Sequence, residues 1–383
     1  MKLRTVILAT LGVLALSLAG LGIWVASLPP VAAAAAAAPA PIPAREAQDA
    51  LAALRPPKRP RPLVAIIGIN DATETTDYLM PYGILRRAAV ADVLALATEP
   101  GPMTLYPALK IVPDATIASF DAAHPQGADY VIVPAMTRQD DPAVLRWIRE
   151  QASKGAIVIG VCAGAKIVGA AGLLRGKRAT THWYSVDELR DATPSMRYVA
   201  DRRMVVDGNV VTTTGITASM PMALTLIEAI AGRDRAAAVA RELGLPDWDA
   251  RHDSDAFRFT RPFALTVLGN TLQFWNREEL GIELTAGVDE VSLALVADAW
   301  SRTYRSRVRT FASSEQGHES LNGIRILPDR VAMDWPAHEL LPAIRKQPPA
   351  AALDDVLRAV ADRYTAPTAQ VVAMQLEYPR LSR

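Results

Sequence analysis

Residues 156–170 read Ala156-Ile-Val-Ile-Gly160-Val-Cys162-Ala-Gly164-Ala-Lys-Ile-Val-Gly-Ala170. The first five form a short apolar run rich in β-branched side chains, the pattern of a strand buried on both faces. An apolar helical stretch follows and extends to Leu174. No loop residues separate the two, so the chain must turn sharply at Cys162. A nucleophile at the apex of such an elbow needs small residues two positions before and two after it. Gly160 and Gly164 meet that demand. The thiol is then expected at the start of the following helix, where the positive end of the macrodipole favours thiolate. There the Ala163 N–H is placed to receive an oxyanion. The same residues also admit a plain reading, a structural cysteine in a glycine-rich turn.

Working outward, Leu63-Val-Ala-Ile-Ile-Gly68, Val93-Leu-Ala-Leu-Ala97 and Ala128-Asp-Tyr-Val-Ile-Val-Pro134 read as further buried strands. Helical patterns at about 80–91 and 142–155 lie between them. Strands alternating with helices predict an α/β fold, a parallel sheet sandwiched by helices in the flavodoxin-like manner.

Composition narrows the partners. The chain has 383 residues with 41 Lys+Arg against 40 Asp+Glu, a net charge of +1. That balance supplies no electrostatic footprint for a phosphate backbone, so nucleic acid is not expected as a partner. Cys162 is the only cysteine, which excludes an intramolecular disulfide and any multi-cysteine zinc site. The five histidines show no paired metal motif, and neither metal nor cofactor is expected.

After Lys2 and Arg4, residues 5–28 carry no charge, and their 24 positions are long enough for a bilayer core of about 30 Å. The segment 1–28 is therefore read as a single-pass transmembrane helix, its N-terminus cytoplasmic and the rest extracytoplasmic, periplasmic in a bacterium. A cleaved signal peptide, cut within the alanines of 31–38, is the alternative. Residues 29–62 are rich in Ala and Pro and read as a semi-rigid spacer, so folding is expected to begin near Leu63.

The elbow and its continuation Gly172-Leu-Leu-Arg-Gly-Lys-Arg-Ala-Thr-Thr-His-Trp183, together with Asp129-Tyr-Val-Ile-Val-Pro134, Ile111-Val-Pro-Asp114 and Val211-Thr-Thr-Thr-Gly-Ile-Thr217, resemble the ThiJ/PfpI superfamily. This superfamily has the class I glutamine-amidotransferase-like fold. The similarity covers residues 63–247 and is closest to the branch of isonitrile hydratases and the amidase-like domains of AraC-type regulators. No helix-turn-helix pattern is read beyond it, so an AraC-type DNA-binding module is not expected. The resemblance places Cys162 on the family's reactive cysteine and Asp77 on the acidic residue that hydrogen-bonds that thiol. It places His182 on a histidine near the site in relatives. For Asp77 the residues alone equally suggest a helix N-terminal acid, and for His182 a satisfied loop residue. Three departures stand out. Residue 163 is Ala, not the family's histidine or hydroxyl residue. Ala135-Met136 replaces the frequent Gly-Gly, and residues 212–222 hold no His-x-Glu pair. Amidotransferase and peptidase chemistry are therefore not expected.

Beyond residue 257, Val93, Leu96-Ala97 and Ile111-Val-Pro-Asp114 recur, at one constant spacing, as Val308, Phe311-Ala312 and Ile326-Leu-Pro-Asp329. Val239-Ala240, Leu243 and Pro246 recur at a second, shorter spacing as Val372-Ala373, Leu376 and Pro379. Residues 257–383 thus read as a truncated second α/β repeat lacking the elbow, with Ser292 where the first copy has Asp77. Relatives commonly dimerise, so either a homodimer or an internal pseudo-dimer is expected. The stretch Trp300-Ser-Arg-Thr-Tyr-Arg-Ser-Arg-Val-Arg309 reads as a solvated helix face leading into a strand. Functionally, the sequence supports a membrane-tethered cysteine-dependent hydratase or lyase acting on a small electrophile. The alternative is a non-catalytic binding or thiol redox-sensing module.

Overall fold

The apolar runs around the elbow become the centre of a seven-stranded sheet, ordered 204–207, 210–213, 157–160, 130–133, 63–68, 92–97, 115–116. The computed structural model describes residues 2–30 and 39–378, and their side chains except those of 2–9, 11, 14 and 18. Neighbouring strands of this sheet run parallel, apart from the antiparallel edge hairpin Met204–Asp207/Val210–Thr213. Both faces are covered, which is why Leu63–Gly68, Tyr130–Val133 and Ile157–Gly160 are apolar without alternation. The flavodoxin-like parallel core expected from the sequence is present.

The helix after the first strand spans Thr75–Ala88, starting earlier than the apolar pattern indicates. Its start is set by the Glu74 side chain, which accepts the Asp77 N–H at 2.6 Å. Helix Gly164–Ala170 is shorter than the stretch to Leu174 suggests. Gly172 and Gly176, both at positive φ, carry the chain away in turns.

Residues beyond 257 form a parallel three-stranded sheet of Glu278–Glu283, Ser306–Ala312 and Arg330–Val331. Its register repeats that of the larger sheet. Leu96 and Ala97 pair with Ala115 and Thr116, and their counterparts Phe311 and Ala312 pair with Arg330 and Val331. Asp114 Oδ2 accepts the Ala95 N–H at 2.8 Å, and Asp329 Oδ2 accepts the Thr310 N–H at 2.8 Å. The two halves meet through helices Thr75–Ala88 and Glu290–Ser301, so closely that a Cβ at Gly83 would lie 2.3 Å from Glu290 Oε1. They also share a five-stranded sheet in which Lys110, Ile111 and Val112 pair antiparallel with Leu327, Ile326 and Arg325. Ile111 pairs with its own counterpart, Ile326, while Lys110 and Val112 each pair with the other's. That is the self-complementary geometry of a two-fold contact.

Two expectations change. Part of segment 29–62 is no spacer: Ala44–Ala53 is a helix, and Leu54 is buried in the core. Lys58 N–H and the Arg59 guanidinium bond to the Asp129 carboxylate at 3.1 and 2.5 Å. Asp129 also accepts the Leu63 N–H at 2.8 Å, so this basic cluster is anchored by a buried carboxylate at the N-terminal ends of two central strands. At the N-terminus a helix does form, Lys2–Ser27. Among the described residues, however, no helix is long and apolar enough to cross a membrane, and many of the first side chains lie outside them. The transmembrane expectation is therefore not supported by the structure. The cleavage sites at 31–38 lie outside the described residues.

The elbow's glycines carry unequal loads. A Cβ at Gly164 would sit 2.0 Å from the Val133 carbonyl oxygen, a rigid backbone atom. At Gly160 it would meet Ala165 Cα and Val168 Cγ2 at 3.0 Å. Gly164→Ala is accordingly expected to cost about 3 kcal/mol, the upper end of overpacking penalties, and Gly160→Ala about 1 kcal/mol. Urea unfolding of the two variants side by side measures the difference.

Candidate functional site

Strand Ile157–Gly160 delivers the chain into the elbow, where Cys162 takes φ 56°. A left-handed backbone at a non-glycine residue is strained, and here neighbours hold it in place. The Cys162 N–H donates to Thr213 Oγ1 at 3.1 Å, and Thr181 Oγ1 donates to the Cys162 carbonyl at 3.0 Å. Those two threonines belong to the Thr-Thr-Thr and Thr-Thr-His segments of the sequence, which now have a structural task. The residue is only 5 % exposed.

Asp77 is brought to the thiol from the first turn of helix Thr75–Ala88 and is fully buried. Its Oδ2 accepts the Ala135 N–H at 3.1 Å, so this backbone amide orients the carboxyl and is not free for an oxyanion. Its Oδ1 is buried with no hydrogen-bond partner, and the nearby Cys162 thiol acts on the carboxyl. Burial pushes the Asp77 pKa up to about 7, a rise limited by the Ala135 N–H and by the Arg302 charge. Cys162 is pushed well above the usual thiol range, first by burial and then by the carboxylates of Asp77, Glu74 and Glu377. The Ala163 N–H works in the opposite direction and is outweighed. The expected helix-favoured thiolate is therefore corrected: burial beside three carboxyl groups defeats the dipole of a seven-residue helix, and the neutral thiol is the resting form.

His182 is placed differently. Its Nδ1 accepts the Tyr184 N–H at 3.3 Å, which makes Nε2 the protonated nitrogen donating to the Gln375 carbonyl at 3.0 Å. Burial lowers its pKa to about 4. Both ring nitrogens are thus committed, and among the described residues none of its hydrogen bonds reaches Cys162.

Several residues at the site come from beyond 257 and were invisible to motif reading. Arg302 is largely shielded, its side chain 14 % exposed, and does not lie on a solvated face. It donates to Glu74 Oε1 and to Asp298 Oδ1, each at 2.7 Å. Glu74 in turn caps the helix carrying Asp77, so Arg302 positions Asp77 through Glu74. Glu377 reaches the Gly215 and Trp183 N–H groups at 2.6 and 2.5 Å. Ser292, the counterpart of Asp77, merely donates to Asp289 at 2.9 Å. Among the described residues no cluster of His, Cys, Asp and Glu has the make-up of a metal site.

The raised Asp77 pKa has a consequence for stability. Between about pH 4 and 7 the folded chain keeps a proton at Asp77 that the unfolded chain, with its carboxyl near 3.9, has released. The stability this contributes is present at low pH and lost as pH rises toward 7. Buried His182 and His252, with pKa lowered to about 4, act the other way, adding stability as pH rises toward 6.5. The Asp77 contribution is isolated by subtracting the Asp77→Asn variant. Wild type is expected to lose stability relative to that variant across pH 4–7, with the difference flat above about 8, as read by chemical denaturation.

Residues 64–229 match the DJ-1/PfpI family. Isonitrile hydratase of Pseudomonas putida is 35 % identical over 172 residues, covering 44 % of this chain and 72 % of that protein. The Parkinson disease protein 7 homolog of Danio rerio is 30 % identical over 189 residues, 48 % of this chain and 97 % of that one. Among solved structures, a DJ-1 superfamily protein from Salmonella typhimurium aligns with TM-score 0.43 and 26 % identity, over 49 % of this chain and 100 % of its own. An elbow cysteine with a buried acidic neighbour on this sheet, and relatives 35 and 30 % identical over 72 and 97 % of their lengths, define the class: the chain belongs to the DJ-1/PfpI family. Within it, this chain is similar to isonitrile hydratase and to DJ-1 homologues, and it continues well past the matched domain.

Proposed function

We propose that this protein is a cysteine-dependent hydratase for a small electrophile of the isonitrile type, with Cys162 as nucleophile and Asp77 as proton carrier. The observation that carries the reading is the Cys162 thiol in its strained elbow against a carboxyl whose pKa lies near 7. A base matched to neutral pH takes the thiol proton only as sulfur bonds to the electrophile. With an isonitrile, sulfur attacks the terminal carbon and Asp77 returns the proton to that carbon, giving a thioimidate. Water adds across the C=N bond, the C–S bond breaks, and an N-substituted formamide leaves as the thiol is restored. The Ala163 N–H lies where charge on sulfur develops. His182 has no step in this scheme. The likeness to isonitrile hydratase supports the substrate class.

Residues beyond 257 are read as a covalently attached counterpart of the dimer partner that family members use. The self-complementary Ile111/Ile326 pairing supports this. A membrane tether with the folded part extracytoplasmic is carried by the uncharged residues 5–28 alone.

Formamide production from a simple alkyl isonitrile, followed by NMR, tests the hydratase. It is expected with wild type and absent from Cys162→Ser; its absence from both overturns the reading. The alternative, a thiol redox sensor, is opposed by the burial and the raised pKa of Cys162. Stoichiometric uptake of one oxygen by Cys162 from hydrogen peroxide, without isonitrile turnover, would select it.

A further inference from the structure

Helix Arg233–Leu243 ends on Gly244, at φ 76°, with the Leu245 N–H donating to Ala240 O and the Gly244 N–H to Arg241 O. Its counterpart in the second half, helix Ala366–Gln375, ends in the same way. The Tyr378 N–H donates to Ala373 O and the Glu377 N–H to Met374 O, with Glu377 at φ 49°. This is the helix-ending position that glycine fills because a side chain is strained there. Glutamate occupies it in the second half, and strain of this kind persists where the side chain has a use.

The side chain points back across the molecule into the first domain. Its two oxygens take the Gly215 and Trp183 N–H groups, and both amides sit two residues from a threonine bonded to the Cys162 backbone, Thr213 and Thr181. A Cβ at Gly215 would lie 2.8 Å from three carbons of the Glu377 side chain, so the cradle is shaped around a carboxylate stem. The Glu377 carboxylate acts electrostatically on the Cys162 thiol. His252 Nε2 lies 3.7 Å from Glu377 Oε2, and Arg203 adds its charge from the same side. Burial raises the Glu377 carboxyl to about 7, so its seat is an expensive one to fill with charge.

We propose that the Gly215 and Trp183 amides form a carboxylate-binding cradle beside Cys162, which Glu377 fills in the resting chain and which a small carboxylate-bearing ligand fills once the Glu377 side chain is withdrawn. This deepens the reading of Cys162 as the reactive group by naming the ligand class. The test reads binding rather than turnover, so a protein without hydratase activity still decides it.

Glu377→Gly removes the occupant and restores glycine at a left-handed position, relieving backbone strain. Alkylation of Cys162 in the full chain by neutral iodoacetamide is followed by intact mass, with acetate as the probe and chloride at equal ionic strength as the control. Glu377→Gly is expected to react about 10- to 100-fold faster than wild type, the range for losing charge-assisted hydrogen bonds, and acetate should slow it saturably. Wild type and Glu377→Gln, whose cradles stay filled, should show no acetate effect. A folded Glu377→Gly chain indifferent to acetate overturns the proposal. So does a Glu377→Gly chain that fails to fold, since Glu377 is then a structural tether.

Discussion

Replacing Arg302 by methionine is expected to destabilise the protein by about 3–5 kcal/mol, the cost of stripping a buried ion pair of one partner. The side chain bridges Glu74 and Asp298, both buried, across the junction of the two halves. Without it two carboxyl groups face each other in a low dielectric, and each can relieve the cost only by taking a proton. The loss should therefore be larger at pH 8 than at pH 5. Arg302→Lys should recover a minor part, because an ammonium lacks the planar fork that reaches both carboxylates. Chemical denaturation at the two pH values measures both effects. A loss under about 1 kcal/mol, the usual ceiling for an exposed pair, would mean that the cross-half contact is not energetically coupled to Glu74.

Asp77→Asn should separate two properties of the thiol that usually move together. Asparagine keeps the shape and the Ala135 contact but removes a negative charge that raises the Cys162 pKa. Thiolate becomes easier to form, so iodoacetamide alkylation at pH 7–8 should speed up. Isonitrile hydration should fall by about 10²- to 10⁴-fold, because the proton carrier is lost. A structural role for Asp77 would slow both or neither. The split is the signature of a carboxyl that moves a proton.

Much of the first domain is legible in the sequence because local patterns carry it. Three apolar runs without alternation announce buried parallel strands, and two glycines flanking one cysteine announce the elbow. The Cys162/Asp77 pair comes from the family resemblance, and the structure places the two together. What is not legible depends on distance in the chain. Arg302 lies 228 positions from Glu74, and Glu377 lies 162 from Gly215, so no window of periodicity links them. Arg302 sits in a run of arginines whose local pattern is that of a wet surface, and only its two buried partners take it inside. One signal for Glu377 is present: in the alignment of the two copies that matches Leu243 to Leu376, glutamate stands where the first copy has Gly244. A side chain replacing a helix-ending glycine invites the question of what it is for.

The thiol's protonation departs from the sequence expectation for a physical reason. A helix start favours thiolate by a modest amount, but burial and neighbouring carboxylates are larger effects and both oppose it. The linker departs in a similar way. Its prolines mark a spacer, yet Ala44–Ala53 has strong helix formers, and Leu54 finds a buried site against the sheet.

The central claim is a buried, protonated Cys162 whose proton is controlled by Asp77. It is tested most directly by the rate of Cys162 alkylation against pH in wild type and Asp77→Asn. The account predicts a wild-type midpoint above that of a free cysteine, near 8.5, and a lower midpoint in the variant. A midpoint equal to free cysteine and unmoved by Asp77→Asn would contradict it.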